Sequence, residues 1–130
     1  MAERSRKLIL LIDDDRLVLD AVTHLLEKSG HAVRAFQNPL EAVQETMMED
    51  FDLIITDIRM PHIDGFQTIR YVREVRREQG KSQVPEIFIT GYAQDYEEEA
   101  RKLHPHAIIH KPFNLQEFID VVNSAIDSLK

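Results

Sequence analysis

Four short apolar runs of the sequence are each followed by polar side chains that could act together on a phosphate group or a cation. The acidic run Asp13–Asp15 follows the first, Asp57 the second, Thr90 the third and Lys111 the fourth. Carboxylates gathered within about 5 Å of one another repel, and such a group either raises a pKa or binds a hard cation. Mg²⁺ is the natural occupant, because it prefers oxygen ligands and commonly bridges carboxylates to a phosphoryl group.

The same residue types suit phosphoryl transfer once a cation is bound. One of the aspartates can then act as a nucleophile, since carboxylates form covalent aspartyl phosphates. Lys111 would neutralise one phosphoryl oxygen, and the Thr90 hydroxyl would donate to another. Taken singly, each residue has an ordinary structural explanation, and Asp15 in particular is typical of a helix N-cap. The coincidence of these groups at four strand ends is what favours a functional site.

The apolar runs predict how these side chains are positioned. Five strands alternate strictly with five helices, which implies right-handed crossovers and a parallel sheet covered on both sides. The predicted fold class is α/β, a three-layer sandwich with a doubly wound five-stranded sheet. Ligands of such sheets bind outside the carboxyl ends of the strands, where the polar groups fall. Three aspartates occupy the turn that would be glycine-rich in a Rossmann-like half, which excludes that fold.

Apolar residues at helical spacing predict the buried face of each helix. In the first helix, which Gly30 ends, they are Leu17, Val18, Ala21, Val22, Leu25 and Leu26. In the second, which opens at Asn38, they are Leu40, Val43 and Met47. The third carries Phe66, Ile69, Val72 and Val75 opposite an arginine-rich outer side, and the last opens at Asn114. The fourth helix, about residues 93–103, has few apolar residues and is expected to be the least firmly held.

Composition limits the classes of function. The 130 residues are 43% hydrophobic and 30% charged, which predicts a single domain over residues 1–130. The absence of cysteine excludes disulfides and thiolate metal sites and agrees with a cytoplasmic location. A net charge of −7 argues against direct binding to nucleic acid. The apolar run Leu8–Ile12 is too short for export or for a membrane span, so no membrane association is expected.

Taken together, the motifs resemble the response-regulator receiver domains of two-component signalling. They comprise Leu11-Ile12-Asp13-Asp14-Asp15, Ile54-Ile55-Thr56-Asp57-Ile58-Arg59-Met60-Pro61-His62-Ile63-Asp64-Gly65, Ile89-Thr90-Gly91-Tyr92 and Lys111-Pro112-Phe113. The resemblance extends from Leu8 to about Leu129. It implies a flavodoxin-like sheet with the strand order 2-1-3-4-5.

The resemblance also implies a role for each site residue. Asp57 would accept a phosphoryl group from a sensor histidine kinase or a histidine phosphotransfer protein. Asp14 would bind Mg²⁺ directly, Asp13 through water, and Arg59 through its backbone carbonyl, with Asp57 completing the ligand set. The domain would catalyse its own phosphorylation and a slow dephosphorylation. Phosphorylation would change the face made by the fourth helix, fifth strand and fifth helix.

Two further details follow from the resemblance. Gly91 would leave the phosphate reachable, and the Lys111–Pro112 peptide bond would be cis. Many receivers carry an aromatic switch residue three positions before the lysine, where this chain has Ile108. We therefore expect signalling to depend mainly on the Thr90 hydroxyl and on movement of the fourth helix.

Two other functions compete with this interpretation. In a phosphatase of the haloacid dehalogenase type, Asp13-x-Asp15 would supply the nucleophile motif, but residue 17 is leucine where threonine or valine is needed, and Asp57 would have no role. A receiver-like module that is never phosphorylated would carry a damaged site, whereas this site is intact. A zinc site formed by His104, His106 and His110 is disfavoured because cysteine and ordered helix spacing are both missing.

Overall fold

The predicted alternation of strands and helices is confirmed. A computed structural model describes residues 7–91 and 93–129, with the backbone alone for residues 93–95. The strands are β1 (Leu8–Ile12), β2 (Ala32–Phe36), β3 (Leu53–Asp57), β4 (Glu86–Thr90) and β5 (Ala107–His110). The helices are α1 (Arg16–Lys28), α2 (Pro39–Glu45), α3 (Gly65–Glu78), α4 (Ala93–Lys102) and α5 (Leu115–Asp127). All strand pairs are parallel, and the order is β2-β1-β3-β4-β5, as expected.

The core has two apolar layers, one on each face of the sheet. Alternate residues of the central strands point to opposite faces, so Leu11 belongs to one layer and Leu10 to the other. Helices α1 and α5 cover the first layer with side chains such as Leu26 and Phe118. Helices α2, α3 and α4 cover the second, where Phe66 packs edge-to-face on a β4 ring. This burial on both faces explains why β1, β3 and β4 are nearly continuous apolar runs.

Side-chain caps begin four of the helices. Asp15, Asn38 and Asn114 accept hydrogen bonds from backbone amides in the first turns of α1, α2 and α5, as predicted from their positions. Asp64 does the same for α3, where its Oδ1 accepts from the amide of Gln67 at 2.8 Å. The caps fix where each helix leaves the carboxyl edge of the sheet, and therefore shape the loops around the site.

The predicted buried faces of α1 and α2 were partly wrong. Leu17 is 82% exposed, and Leu19 is buried in its place. Apolar residues cover so much of the circumference of α1 that spacing alone did not select the face. Leu17 also lies in the first turn, beyond the edge of the sheet. In α2, Leu40 and Met47 are exposed, because the helix is only seven residues long and ends before Met47.

The outer side of α3 is less uniform than the sequence indicated. Arg73 turns inward and pairs with the buried carboxylate of Glu86 at the start of β4. The loop that follows α3 is tied down by polar contacts. Lys81 Nζ lies 2.6 Å from Asp50 Oδ1, and Gln83 Nε2 donates to the carbonyl of Arg73.

Candidate functional site

Three aspartates meet at the carboxyl edge of the sheet. Asp13 follows β1 and Asp57 ends β3, and because these strands are neighbours their carboxylates come together. Asp13 and Asp57 are buried, whereas Asp14 is exposed at the rim. One oxygen from each of the three lies within 4.8 Å of the others. The sequence predicted this convergence from strand ends alone.

Backbone hydrogen bonds hold the acidic loop after β1. The Asp13 amide donates to the carbonyl of Phe36 in β2 at 3.1 Å, and its Oδ1 accepts from the amide of Asp15 at 2.9 Å. Gln37 reaches across from the end of β2, and its Nε2 donates to the carbonyl of Asp14 at 3.1 Å. One oxygen of Asp13 is thus committed to the loop, and Oδ2 faces the site.

Asp57 is held in a similar way at the end of β3. Its Oδ1 accepts from the amide of Ile58 at 2.9 Å, and its Oδ2 faces Lys111. The backbone behind it is packed against Gly65, whose amide donates to the carbonyl of Ile58 at 2.7 Å. A Cβ atom at Gly65 would lie 2.3 Å from the carbonyl oxygen of Asp57, so only glycine fits there without displacing that strand end.

Lys111 brings the only amine among the predicted site residues into contact with two of the carboxylates. Its Nζ lies 3.2 Å from Asp13 Oδ2 and 3.4 Å from Asp57 Oδ2. The Lys111 amide donates to the carbonyl of Thr90 at 2.8 Å, which ties the end of β5 to the end of β4. The Lys111–Pro112 bond is cis, as the resemblance implied.

Burial raises the pKa of both inner aspartates. Burial, followed by the charge of Asp13, raises the pKa of Asp57 to about 6. Burial also raises the pKa of Asp13, although the Asp15 amide and Lys111 oppose the shift. For Lys111, burial alone would lower the pKa, but the charges and hydrogen bonds of Asp57 and Asp13 together raise it. One amine therefore compensates two buried carboxylates incompletely, and the site favours a further cation.

The site opens to solvent through a cavity of about 770 Å³. It is lined by Asp14, Asp57, Arg59, Met60, Pro61, Gly91 and Lys111. Thr90 is buried at the end of β4, one residue before Gly91. A Cβ atom at Gly91 would meet only the Cβ of Lys111, at 4.0 Å, so no close contact requires glycine there. Its position on the cavity wall agrees with the expectation that it leaves the aspartate accessible.

The donor set fits Mg²⁺. Three carboxylates offer hard oxygen ligands within one small volume, and the residue that carries the predicted carbonyl ligand, Arg59, lines the same cavity. The site is open on the rim side, which leaves room for the waters that Mg²⁺ retains. Among residues 7–91 and 93–129, this aspartate cluster alone brings the ligand atoms of three or more acidic or histidine residues close together.

The three histidines near β5, His104, His106 and His110, do not form a second metal site. His104 and His106 are exposed before β5, and His106 Nε2 lies 3.2 Å from the hydroxyl of Ser124. His110 ends β5 and lies 3.6 Å from Glu97 of α4. The rings of His106 and His110 thus contact different residues.

Sequence reasoning missed two residues that shape the site. Gly65 supports the backbone of Asp57, and Gln37 holds the loop of Asp14. An Asp64-Gly65 pair before an apolar periodic run is a signal for a helix start with close backbone approach, and it could have indicated Gly65. Nothing in the spacing distinguishes Gln37, because its contact crosses from the neighbouring strand.

Comparison with known proteins decides the family. A sequence model described as the response regulator receiver domain matches residues 9–123. The chain belongs to the response regulator receiver domain family. It is 30% identical over 127 residues to the response regulator receiver protein CpdR of Brucella abortus, covering 92% of this chain and 97% of that protein. It is 32% identical over 112 residues to a CpxR homolog of Haemophilus influenzae, described as a transcriptional regulatory protein.

The lengths of these relatives differ. The match covers 85% of this chain but 46% of the CpxR homolog, so the chain spans about half of that relative. Of the transcriptional regulatory protein YesN of Bacillus subtilis, it spans about a third (33%).

Solved structures show the same fold. The receiver domain from Clostridium thermocellum superposes with a TM-score of 0.82 at 26% identity, covering 94% of this chain and 95% of that one. A CheY-like receiver from Methanospirillum hungatei gives 0.84 at 26% identity, covering 95% and 96%. The chain is therefore a receiver domain of two-component signalling, and the phosphatase alternative is not supported. No helix in the described part of the receiver is long and apolar enough to cross a membrane.

Proposed function

We propose that this receiver is a Mg²⁺-dependent switch whose phosphoryl acceptor is Asp57. The observation that carries the proposal is the position of Asp57 Oδ2, 3.4 Å from Lys111 Nζ and beside two further carboxylates on the wall of an open cavity. Asp13 is also buried but is not among the residues that line the cavity, and Asp14 lies at the rim. Asp57 thus combines access, a neighbouring amine and neighbouring cation ligands.

The proposed reaction needs little from the protein beyond positioning and charge. A carboxylate oxygen of Asp57 attacks the phosphorus of a phosphohistidine, the phosphorus–nitrogen bond breaks, and its electron pair returns to the imidazole. Lys111 turns from the two carboxylates towards the new phosphoryl oxygens, and the Thr90 hydroxyl donates to one of them. Mg²⁺ held by Asp13, Asp14, Asp57 and the carbonyl of Arg59 would neutralise developing negative charge.

The same arrangement supports slow dephosphorylation. Water entering through the cavity attacks phosphorus, the bond to the Asp57 oxygen breaks, and inorganic phosphate and the free carboxylate are released. The described residues that line the cavity include no histidine, and the carboxylate beside Asp57, that of Asp14, is the proposed cation ligand and would not act as a general base. The absence of such a base favours a long-lived phosphoryl group over rapid turnover, as a switch requires.

The phosphoryl donor is proposed to be a sensor histidine kinase or a histidine phosphotransfer protein in the cytoplasm. A macromolecular donor must dock beside the cavity, and an apolar groove of about 290 Å³ adjoins it there. The groove is lined by Val18, Ala21, Val22, Lys111, Pro112, Phe113 and Leu115, so Lys111 borders both the groove and the site. Leu115 of this lining is 60% exposed, and Leu17, which precedes Val18 of the lining in the sequence, is 82% exposed. Phosphorylation would change the surface formed by α4, β5 and α5, and a downstream domain or protein would bind that surface.

Labelling with a small donor tests the acceptor. With Mg²⁺ and acetyl phosphate, the wild-type protein should gain one hydroxylamine-sensitive phosphate, and Asp57→Asn should gain none, because the nucleophilic oxygen is lost. Intact mass spectrometry measures both. The matched control is Asp52→Asn, a carboxylate outside the cavity, which should be labelled like wild type. Labelling of Asp57→Asn together with loss of labelling in Asp13→Asn would place the acceptor on Asp13 instead.

A further inference from the structure

A buried ion pair lies at the opposite edge of the sheet from the phosphorylation site. Glu86, the first residue of β4, is only 4% exposed. Arg73 of α3 binds both of its oxygens, with Nε 3.0 Å from Oε2 and Nη2 on Oε1. Such a two-pronged contact fixes the plane of the guanidinium as well as its position.

The same guanidinium also holds the end of α4. Arg73 Nη2 donates to the carbonyl of Leu103, the residue after the last helical residue of α4. The segment that follows is fixed to β4 as well, since the His106 amide donates to the carbonyl of Glu86 at 2.8 Å. His104 between them adopts the left-handed conformation, with φ of 55°, which ends the helix. A cation at this position also complements the negative end of the helix dipole.

The amino-terminal end of α4 lies beside the phosphorylation site. It begins two residues after Gly91, on the wall of the phosphorylation site. Among residues 96–102, Ala100 alone is fully buried, and the other side chains are partly buried or exposed. Tyr96 is partly buried and meets the ring of Phe66 edge-on, with centroids 6.1 Å apart. Glu97 lies 3.6 Å from His110 of β5, and the contact of Arg73 with Leu103 follows at the carboxyl end of the helix.

We propose that Arg73 and Glu86 form a fixed pivot for α4, about which phosphorylation tilts the helix. The event that starts this motion, phosphorylation of Asp57, rests on the function proposed above. When Thr90 is drawn towards a phosphoryl group on Asp57, the amino-terminal end of α4 moves, while Leu103 stays on the guanidinium of Arg73. The pivot converts a small shift at the end of β4 into rotation of one helix, and it leaves the junction of α4 with β5 in place.

Amide hydrogen exchange with and without Mg²⁺ and beryllofluoride tests this motion. In wild type, residues 93–98 should change exchange rate on beryllofluoride binding, and residues 101–106 should change by less than about twofold. Fluorine NMR of bound beryllofluoride establishes separately that the phosphoryl mimic is seated. Equal changes along the whole of α4 would overturn the pivot.

The informative variant removes both partners. Arg73→Met alone would leave a buried carboxylate unpaired and could unfold the protein, whereas Arg73→Met/Glu86→Met replaces the pair with apolar side chains, a change that folds often tolerate. Without beryllofluoride, the double variant should exchange about tenfold faster over residues 101–106, as expected for loss of a charge-assisted hydrogen bond. With beryllofluoride, the change should spread along all of α4.

Two controls keep the outcome decisive. Arg70→Met removes an exposed arginine of the same helix and should behave as wild type. Arg73→Lys keeps the charge but lacks the fork, so it should lie between wild type and the double variant. If beryllofluoride fails to bind wild type, the proposed function fails. Exchange in the unbound proteins still tests whether Arg73 and Glu86 hold the carboxyl end of α4. Equal rates over residues 101–106 in wild type and the double variant would refute it.

Discussion

Asp57 is the residue where function and stability conflict most directly. Its pKa is raised to about 6 by burial and by Asp13, and its charged form is therefore unfavourable in the folded protein without a cation. In the unfolded chain an aspartate titrates near 3.9. The contribution of Asp57 to stability is thus complete below about pH 4 and is lost as the pH rises through about 6.

Replacing this carboxylate should stabilise the metal-free domain. In EDTA, Asp57→Asn should raise the free energy of unfolding at pH 7.5 by roughly 1–2 kcal/mol, and by little near pH 4, where wild-type Asp57 is protonated. Urea unfolding at several pH values measures the difference. Asp20→Asn, which alters an exposed pair with Arg16, should change stability by less than about 1 kcal/mol at every pH. A variant less stable than wild type at pH 7.5 would contradict this account.

Gly65 matters through shape alone. A Cβ atom there would lie 2.3 Å from the carbonyl oxygen of Asp57 and 2.9 Å from Cα of Ile58, and both of these are backbone atoms that cannot rotate away. Gly65→Ala should therefore cost about 2 kcal/mol of unfolding free energy and slow labelling by acetyl phosphate. Gly91→Ala is the matched control, since its Cβ would meet only Lys111 at 4.0 Å. Equal stability of the two variants would show that the loop of Gly65 relaxes freely.

These residues also show what a sequence can reveal about a site. Asp13, Asp57, Thr90 and Lys111 could be predicted to meet, because strand ends of a parallel sheet share one edge. The need for glycine at position 65 depends on distances of a few tenths of an ångström between loops. The Asp64-Gly65 pair can indicate a helix start with a close backbone approach, but it does not reveal those distances.

Helix α1 departs from its predicted orientation at a position that bears on the proposed docking of the phosphoryl donor. Leu17 was expected in the core but is 82% exposed, and the next residue, Val18, lines the groove that Lys111 borders. Periodicity could not separate a core leucine from an exposed one, because both lie on an apolar helix face. The N-cap Asp15 and the position of the sheet edge decide which turn of α1 reaches the core.

Leu17 should therefore act on the macromolecular donor and not on the chemistry. Leu17→Ala should slow phosphoryl transfer from a phosphorylated histidine kinase about tenfold, the effect of truncating a buried interface anchor. Labelling by acetyl phosphate, which needs no docking surface, should be unchanged. Leu40→Ala, an exposed leucine on α2, serves as control and should leave both rates unchanged. Equal slowing with both donors would place Leu17 in the site's structure and not in an interface.

At the scale of the whole molecule, the sheet has a chemical edge and an anchoring edge. The carboxyl ends of its strands gather Asp13, Asp57 and Lys111, whereas the start of β4 carries the Arg73–Glu86 pair. Strict alternation of strands and helices was enough to predict the parallel sheet and the first edge. The second edge was missed, because Glu86 stands inside an apolar run as a single acidic residue whose partner is 13 positions away. Such a pairing becomes visible only when α3 is placed on the sheet.

Cation binding should couple the chemical edge to the stability of the whole domain. Mg²⁺ that binds the folded state alone stabilises it by mass action, by about 2.7 kcal/mol at one hundred times the dissociation constant. The gain in unfolding free energy should be smaller at pH 5 than at pH 7.5. Protons compete for Asp57, whose pKa is about 6, and for Asp13, whose pKa is also raised. Urea unfolding with Mg²⁺ or EDTA at the two pH values measures this gain.

Two variants separate metal binding from helix capping in the same loop. Asp14→Ala should remove most of the gain from Mg²⁺, since the rim carboxylate is the proposed direct ligand. Asp15→Ala should lower stability by about 1 kcal/mol in Mg²⁺ and in EDTA alike, because it removes the cap of α1 while leaving the cluster intact. Its gain from Mg²⁺ should match that of wild type. If Asp14→Ala kept the full gain while Asp15→Ala lost it, the ligand at this edge would be Asp15, and the assignment of the two residues would have to be exchanged.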